Sequence, residues 1–502
     1  MESFKLGVDQ IFSDNMVLPV GKSFQISGTG IAGSTVKVAI GENVQRAIVK
    51  RNGEWLCRFA PITDTRSSFE VQIEDSQHQI TLKNVRFGRV ILMAGQSNVG
   101  FRMAQDQDVE IETEHFTLKN VAYYNVPQPS FYFRNGRVEV YQSNATHWHQ
   151  LKQSNLGHVS AMAFYAAKKL IEENPQTPVG IVCCTKDGAL APTWLSETTL
   201  RNHVELKEAV VRPFDERLKN TPNHEFEEEV KLYRQKVQRH NRRMYNFMKD
   251  NPTVPLGMAL NIVGQTPWPP PVTPDSYLKP GSLFKEMVLK FKNYTFNQVI
   301  WYQGETDTEI SGLYDELLTG IINDWRQAFQ DYSLPFYIVQ LPKYASVPRN
   351  AWAEIRQQQL KVAHILAEVH LVSITDTGEL YNPHPITKQV AGTRLGRILA
   401  GTTYTDTPVF DRMLRNEGKC YLKFKFVQQI HATQSCRIEG LVHNHWQSIE
   451  AEIIGNEILV EFPEGTTQAR YGYSNAPTLT LYNEQDDPIA PFIIELEYGN
   501  LI

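Results

Sequence analysis

The sequence predicts an α/β protein, a doubly wound parallel sheet flanked by β-sandwich-like segments at both ends, and three observations predict it. Short alternating runs fill the first 85 residues. Longer apolar runs then alternate with helical stretches up to about residue 400. Beyond that the pattern is β again. That order of periodicities is the signature of an open sheet covered by helices, with β elements attached before and after it. At 502 residues the chain exceeds the size at which one core keeps growing. Three units are expected: a β-sandwich domain over 1–85, the α/β domain over 86–400 with an insertion at about 197–285, and a β segment over 401–502.

In the first unit, Ser23-Phe24-Gln25-Ile26-Ser27 and Thr35-Val36-Lys37-Val38-Ala39-Ile40 alternate polar and apolar residues between Gly-rich or polar turns, the pattern of half-buried strands. In the second, buried strands are predicted around Val90, at Val179–Cys184, around Val299 and at Phe336–Leu341, and helices at Ala161–Glu173 and Tyr314–Phe329. The insertion holds a charged helix over Glu225–Lys249 and the Pro-rich loop Gln265-Thr266-Pro267-Trp268-Pro269-Pro270-Pro271. Insertions of this length guard a reactive edge or decorate the fold. In the third, Tyr421–Phe426 and Glu457–Phe462 alternate as strands, and packing of this segment against the first β unit is expected.

Composition narrows the function. A net charge of −5 and a pI near 6.3 exclude a general nucleic-acid partner or an anionic membrane. Arg234, Arg239, Arg242 and Arg243 lie among glutamates and read as a solvated helix face. The amino terminus has no basic segment followed by an apolar stretch, so a soluble, cytoplasmic protein is expected, and a secreted form whose signal has been removed also fits. Five cysteines, an odd number, read as reduced thiols. His147-Trp148-His149 offers two histidines on one strand face with no third ligand, so neither a metal nor another cofactor is expected.

The chemistry gathers at three places where an apolar run stops. Val90-Ile91-Leu92-Met93-Ala94 ends in Gly95-Gln96-Ser97-Asn98, which lifts the Ser97 hydroxyl out at the edge where open α/β sheets bind ligands. Gln298-Val299-Ile300-Trp301-Tyr302 ends in Gln303-Gly304-Glu305. Val369–Ile374 is followed by Asp376-Thr377-Gly378 and then by His384 between two prolines, with a helix starting near Lys388. A serine attacks a carbonyl near neutral pH only when an imidazole removes its proton, so His384 is the candidate base for Ser97. Glu305 is the first candidate to orient that imidazole and Asp376 the second. A dyad oriented by a backbone carbonyl fits equally well.

The ordered set Gly-Gln-Ser-Asn, Trp-Tyr-Gln-Gly-Glu, Asp-x-Gly and His-Pro-x-x-Lys resembles the SGNH-type hydrolases and, within them, the sialate O-acetylesterase family. Met16–Pro19, Asn52–Trp55, Asp324-Trp325-Arg326, Trp352, Arg356, Arg470–Tyr473 and Pro488–Phe492 extend the resemblance over nearly the whole chain. It implies an SGNH-type core and a serine esterase that removes O-acetyl groups from sialic acids, with catalytic Ser97, His384 and Glu305. It also implies an oxyanion hole of the Ser97 and Gly188 N–H groups and the Gln303 amide. Trp194 and Trp268 are assigned to substrate binding. The family's Gly-Gly-Thr/Ser turn is altered here to Asp187-Gly188-Ala189, and the Asp often found three residues before the histidine is Tyr381.

The implied partner is therefore an O-acetylated sialic acid. Its carboxylate and glycerol chain call for a cation and hydroxyl partners, and the loop Gln265–Pro274 with the arginines of the preceding helix is the segment freest to supply them. Acetylxylan or another acetylated polysaccharide is the alternative substrate. A carbohydrate-binding protein without turnover is the further alternative. The oligomeric state is not encoded in any of these features.

Overall fold

The computed structural model describes residues 5–128, 131–134, 137–140 and 146–501, the two short central segments by their backbone. Its centre is a sheet of six parallel strands: β1 (Gln79–Gly95), β2 (Val121–Asn125), β3 (Val179–Thr185), β4 (Gln298–Tyr302), β5 (Phe336–Gln340) and β6 (Val369–Ser373). Their order in space is β2-β3-β1-β4-β5-β6, with the short strand His149–Gln150 antiparallel on the outer edge of β2. Every residue of β3, β4 and β5 is buried, as expected for parallel strands covered on both faces. After β3 the chain crosses β1 to form β4 on its far side. The carboxyl end of β1 therefore lies at the point where strand order reverses, the usual ligand site of open α/β sheets.

Register decides which motifs meet there. Gly95 at the end of β1 stands opposite both Thr185 of β3 and Tyr302 of β4, so the segments leaving all three strands start at one level. Gly95 has φ 137°, and a Cβ there would lie 1.9 Å from the Tyr302 carbonyl oxygen. A larger residue would push β1 and β4 apart where the reactive edge is built.

The helices include α1 (Ala161–Glu173), α2 (Asn223–Asp250), α3 (Leu256–Val263), α4 (Tyr314–Phe329), α5 (Ala351–Ile365) and α6 (Gln389–Ala400). The Ser160 hydroxyl caps α1 by accepting from the Ala163 N–H at 3.3 Å. Its alanine-rich first turns are buried and pack on α6. Among the described residues no helix is long and apolar enough to cross a membrane.

The first β elements form small antiparallel sheets, and β1 belongs to both regions. Its Gln79–Val85 portion pairs with Phe69–Glu74, and its later portion enters the parallel sheet. Residue 86 thus lies inside a continuous strand. Phe24, Phe59, Phe69 and Phe87 fill the space between the sheets with ring centroids 5.1–5.4 Å apart. The carboxyl-terminal segment is a seven-stranded antiparallel sheet. It docks on α5 and α6 of the core, which corrects the expectation that it packs on the first β unit. Buried Arg356 on α5 donates to the carbonyls of Leu341, Pro342, Ser474 and Asn475, and Arg394 and Arg397 on α6 meet Asp487. Five donors on one buried side chain can satisfy loop carbonyls that no strand partner reaches, and hydrophobic alternation carries no trace of this.

Candidate active site

Ser97 opens a one-turn helix, Ser97–Gly100, directly after β1. Its Oγ lies 2.7 Å from Nε2 of His384, which arrives from the loop after β6, 287 residues away in sequence. The loop is fixed by its own polar residues. Asn382 Oδ1 accepts from the His384 N–H at 3.0 Å and its Nδ2 donates to the His384 carbonyl at 2.7 Å. Glu379 accepts from the Ile386 N–H at 2.9 Å and from Asn382 at 3.2 Å. Burial, with the Lys388 charge adding to it, pushes the His384 imidazole down to about 4, so the ring is neutral and able to accept a proton.

Neither carboxylate expected to orient this ring reaches it. Glu305 Oε1 accepts from Asn98 Nδ2 at 2.7 Å. Asp376 is held bidentately by Arg394, both contacts being 2.8 Å. Among the described residues no carboxylate forms an ion pair with His384. The structure thus corrects both assignments: Ser97 meets a histidine that is aimed by its own loop. The physical reason is competition: a guanidinium fork matches Asp376 better than one imidazole N–H would, and Asn98 stands between Glu305 and the histidine loop.

Asn98 and Lys388 are the residues whose roles sequence reasoning missed. Asn98 is fully buried and donates also to the Pro383 carbonyl at 2.9 Å. Its Oδ1 accepts from Lys388 Nζ at 2.9 Å, and Nζ donates to the Pro385 carbonyl at 2.8 Å. The Lys388 ammonium also sits 4.5 Å from the Phe101 ring centroid. The Pro383 carbonyl is therefore gripped from the nucleophile's side, and the Pro385 carbonyl by Lys388, which Asn98 in turn holds. The available signal was the pairing of an Asn after the serine with a Lys four residues after the histidine. Burial lowers the Lys388 pKa and raises that of Glu305. The Asn98 amide, carbonyl toward the ammonium and NH₂ toward the carboxylate, is oriented to hold the charged form of each.

The proposed oxyanion donors separate. Among the described residues no backbone carbonyl accepts from the N–H of Ser97 or of Gly188, so both are unspent. Gln303 does not. It is 0% exposed, and its Nε2 is spent on Asp307, Ala189 O at 3.1 Å and Gln96 Oε1 at 3.2 Å, while Tyr314 donates to its Oε1. Gln303 is corrected from donor to buried support beneath Gln96 and the Ala189 turn. Trp194 is likewise corrected: at 0% exposure it packs edge-on against Trp301 and beside Trp325, inside the core.

Trp268 is 49% exposed and donates from Nε1 to the Gly188 carbonyl at 3.2 Å. The Pro-rich insertion thus docks on the turn after β3. Tyr277 adds a bond to the Asp187 carbonyl at 3.2 Å, and Tyr233 ties Pro267 to α2 at 2.9 Å. Gly188 has φ 65°, and a Cβ on it would lie 2.0 Å from Trp268 Nε1. Arg239, Arg242 and Arg243 stay exposed along α2.

A buried-edge serine paired with a neutral imidazole, beside two unspent backbone N–H groups, defines the site class of serine acyl-transfer enzymes. Residues 246–405 match the family described as carbohydrate esterase, sialic acid-specific acetylesterase, and the resemblance read from the motifs is borne out. The matched stretch contains Trp268, Gln303, Glu305 and His384, and Ser97 lies before it. The chain is 24% identical to the sialate O-acetylesterase of Mus musculus over 344 residues, 64% of this chain and 57% of the mouse protein. It is 24% identical to that of Rattus norvegicus over 363 residues, 66% of this chain and 60% of the rat protein. The aligned chain thus spans less than two thirds of each relative's length. The fold is that of a carbohydrate acetylesterase from Xanthomonas citri, with a TM-score of 0.74 at 20% identity over 98% of this chain and 99% of that one.

Proposed function

We propose that this protein is a serine esterase of the SGNH type that removes O-acetyl groups from sialic acids through an acetyl-Ser97 intermediate. The observation that carries this reading is the 2.7 Å contact between Ser97 Oγ and His384 Nε2. His384 takes the hydroxyl proton as Oγ bonds to the acetyl carbon. The oxyanion that forms is received by the N–H groups of Ser97 and Gly188. The bond from acyl carbon to sugar oxygen then breaks, and His384 returns its proton to that oxygen. Water, deprotonated by the same imidazole, attacks the acetyl-serine and releases acetate. Trp268, half exposed beside Gly188, is the aromatic surface for the sugar. The sialic acid assignment draws on the family match and the curated relatives.

The test is acetate release from p-nitrophenyl acetate, O-acetylated N-acetylneuraminic acid and acetylated xylo-oligosaccharides. A higher kcat/KM on the sialic acid ester than on the xylan fragments is expected. The reverse order moves the function to polysaccharide deacetylation, and no turnover of any ester leaves a carbohydrate-binding protein.

A further inference from the structure

A cavity of about 560 Å³ opens beside the nucleophile at the carboxyl ends of β2 and β3, a volume in the range of small-molecule sites. Gly100, one helical turn after Ser97, is part of its wall. Its polar lining includes Arg102, Gln105, Asn125, His158, Thr185 and Asp187. Arg102 is exposed, and among the described residues no hydrogen bond or ion pair from its guanidinium is present. Its backbone, in contrast, is fixed. Arg102 forms a β-bridge with Ser160, flanked by bonds from Ala161 N to Phe101 O at 2.8 Å and from Met103 N to Val159 O at 2.9 Å. The arginine is thereby anchored at the amino terminus of α1, whose partial positive charge faces the same wall. Asp187 brings an acceptor to the same lining, where burial raises its carboxyl pKa and the Arg102 charge is near enough to offset part of that rise. Its Oδ1 lies 3.5 Å from the position of a Cβ on Gly100.

We propose that this cavity is the subsite for the acidic end of the substrate, with the Arg102 guanidinium binding the carboxylate of a sugar acid and Asp187 accepting from its hydroxyls. The inference rests on the esterase reading and deepens it. A guanidinium that donates no hydrogen bond to the protein and meets Asp187 only through longer-range attraction, held on a fixed backbone, is suited to bidentate capture of a carboxylate. A neutral xylan residue would leave it unanswered. The cation that a sialic acid requires thus comes from the loop after the nucleophile, not from the arginines of α2.

The experiment compares O-acetylated N-acetylneuraminic acid with its methyl ester, in wild type, Arg102→Gln and Arg102→Lys. Wild type is expected to favour the free acid, and Arg102→Gln to erase that preference by a factor of about 10–100, the range of a charge-assisted pair. Arg102→Lys should restore part of it. An acid-to-ester ratio that is the same in wild type and Arg102→Gln overturns the proposal. Inhibition of p-nitrophenyl acetate turnover by free N-acetylneuraminic acid, glucuronic acid and neutral N-acetylmannosamine separates this failure from that of the sialic acid reading. Inhibition by glucuronic acid alone, lost in Arg102→Gln, keeps the carboxylate subsite and changes the sugar. Equal inhibition by the acids and by N-acetylmannosamine overturns the subsite even where sialic acid esters are cleaved.

Discussion

Glu305 is bonded to Asn98 and not to His384: its Oε1 accepts from the Asn98 amide at 2.7 Å, and its Oε2 is buried without a partner among the described residues. The carboxylate expected to orient the imidazole thus reaches the Ser97–His384 pair only through Asn98, the side chain that also holds Lys388.

Ser97→Ala and His384→Ala are each expected to lower kcat on acetyl esters by several orders of magnitude, because the two groups work as one unit in the chemical step. Far-UV circular dichroism and thermal midpoints should stay close to wild-type values, since neither side chain is fully buried. Retention of more than a few per cent of kcat by either variant would overturn the dyad.

Glu305→Gln is expected to keep kcat within about tenfold, because a carboxamide oxygen can still accept from Asn98 and no direct bond to the imidazole is lost. Its thermal midpoint should fall, since the new NH₂ occupies the buried Oε2 position, which offers no acceptor. A kcat as low as that of His384→Ala would restore Glu305 to the role of orienting the ring.

The pH profile follows from His384. An imidazole pushed down to about 4 is neutral, and so competent as a base, above that pH and protonated below it. kcat/KM on p-nitrophenyl acetate should therefore persist below pH 6 and be lost only as pH falls toward 4. An ordinary histidine would give an acid limb near 6.5. An acid limb at 6.5 in wild type contradicts the burial argument.

Lys388→Met is expected to move that acid limb upward, since it removes the cation that adds to burial in holding His384 down. It should also lower kcat more than it raises KM, because the grip on Asn98 and the Pro385 carbonyl positions the base without touching substrate. An unshifted limb with unchanged kcat makes Lys388 a packing residue.

Trp268→Phe keeps an aromatic face and deletes the donor to Gly188. It should cost up to about tenfold on p-nitrophenyl acetate, the worth of one neutral hydrogen bond. Trp268→Ala should cost more on the sugar ester than on the small one, because a remote contact contributes only when the remote group is bound. Equal losses on both esters would confine Trp268 to support of the Gly188 turn.

Local sequence pattern was enough to place the elements and to single out Ser97 and His384. Helices over Ala161–Glu173 and Tyr314–Phe329 and the strand over Val179–Thr185 follow from periodicity and apolar runs, which are local properties of the chain. Ser97 and His384 were legible because each sits where such a run stops, and the parallel register of β1, β3 and β4 then brings the strand ends level. Tertiary structure alone decided what every other polar group does. Asp376 turned to Arg394, Glu305 to Asn98, Gln303 to Asp307 and Asp487 to α6. Trp194 went into the core while Trp268 came to rest on Gly188. Hydrophobic burial repeats with the period of a helix or strand and can be read along the chain. A buried hydrogen bond or ion pair depends on which partner, often more than a hundred residues away, arrives within 3 Å in a suitable orientation, and no local pattern records that choice.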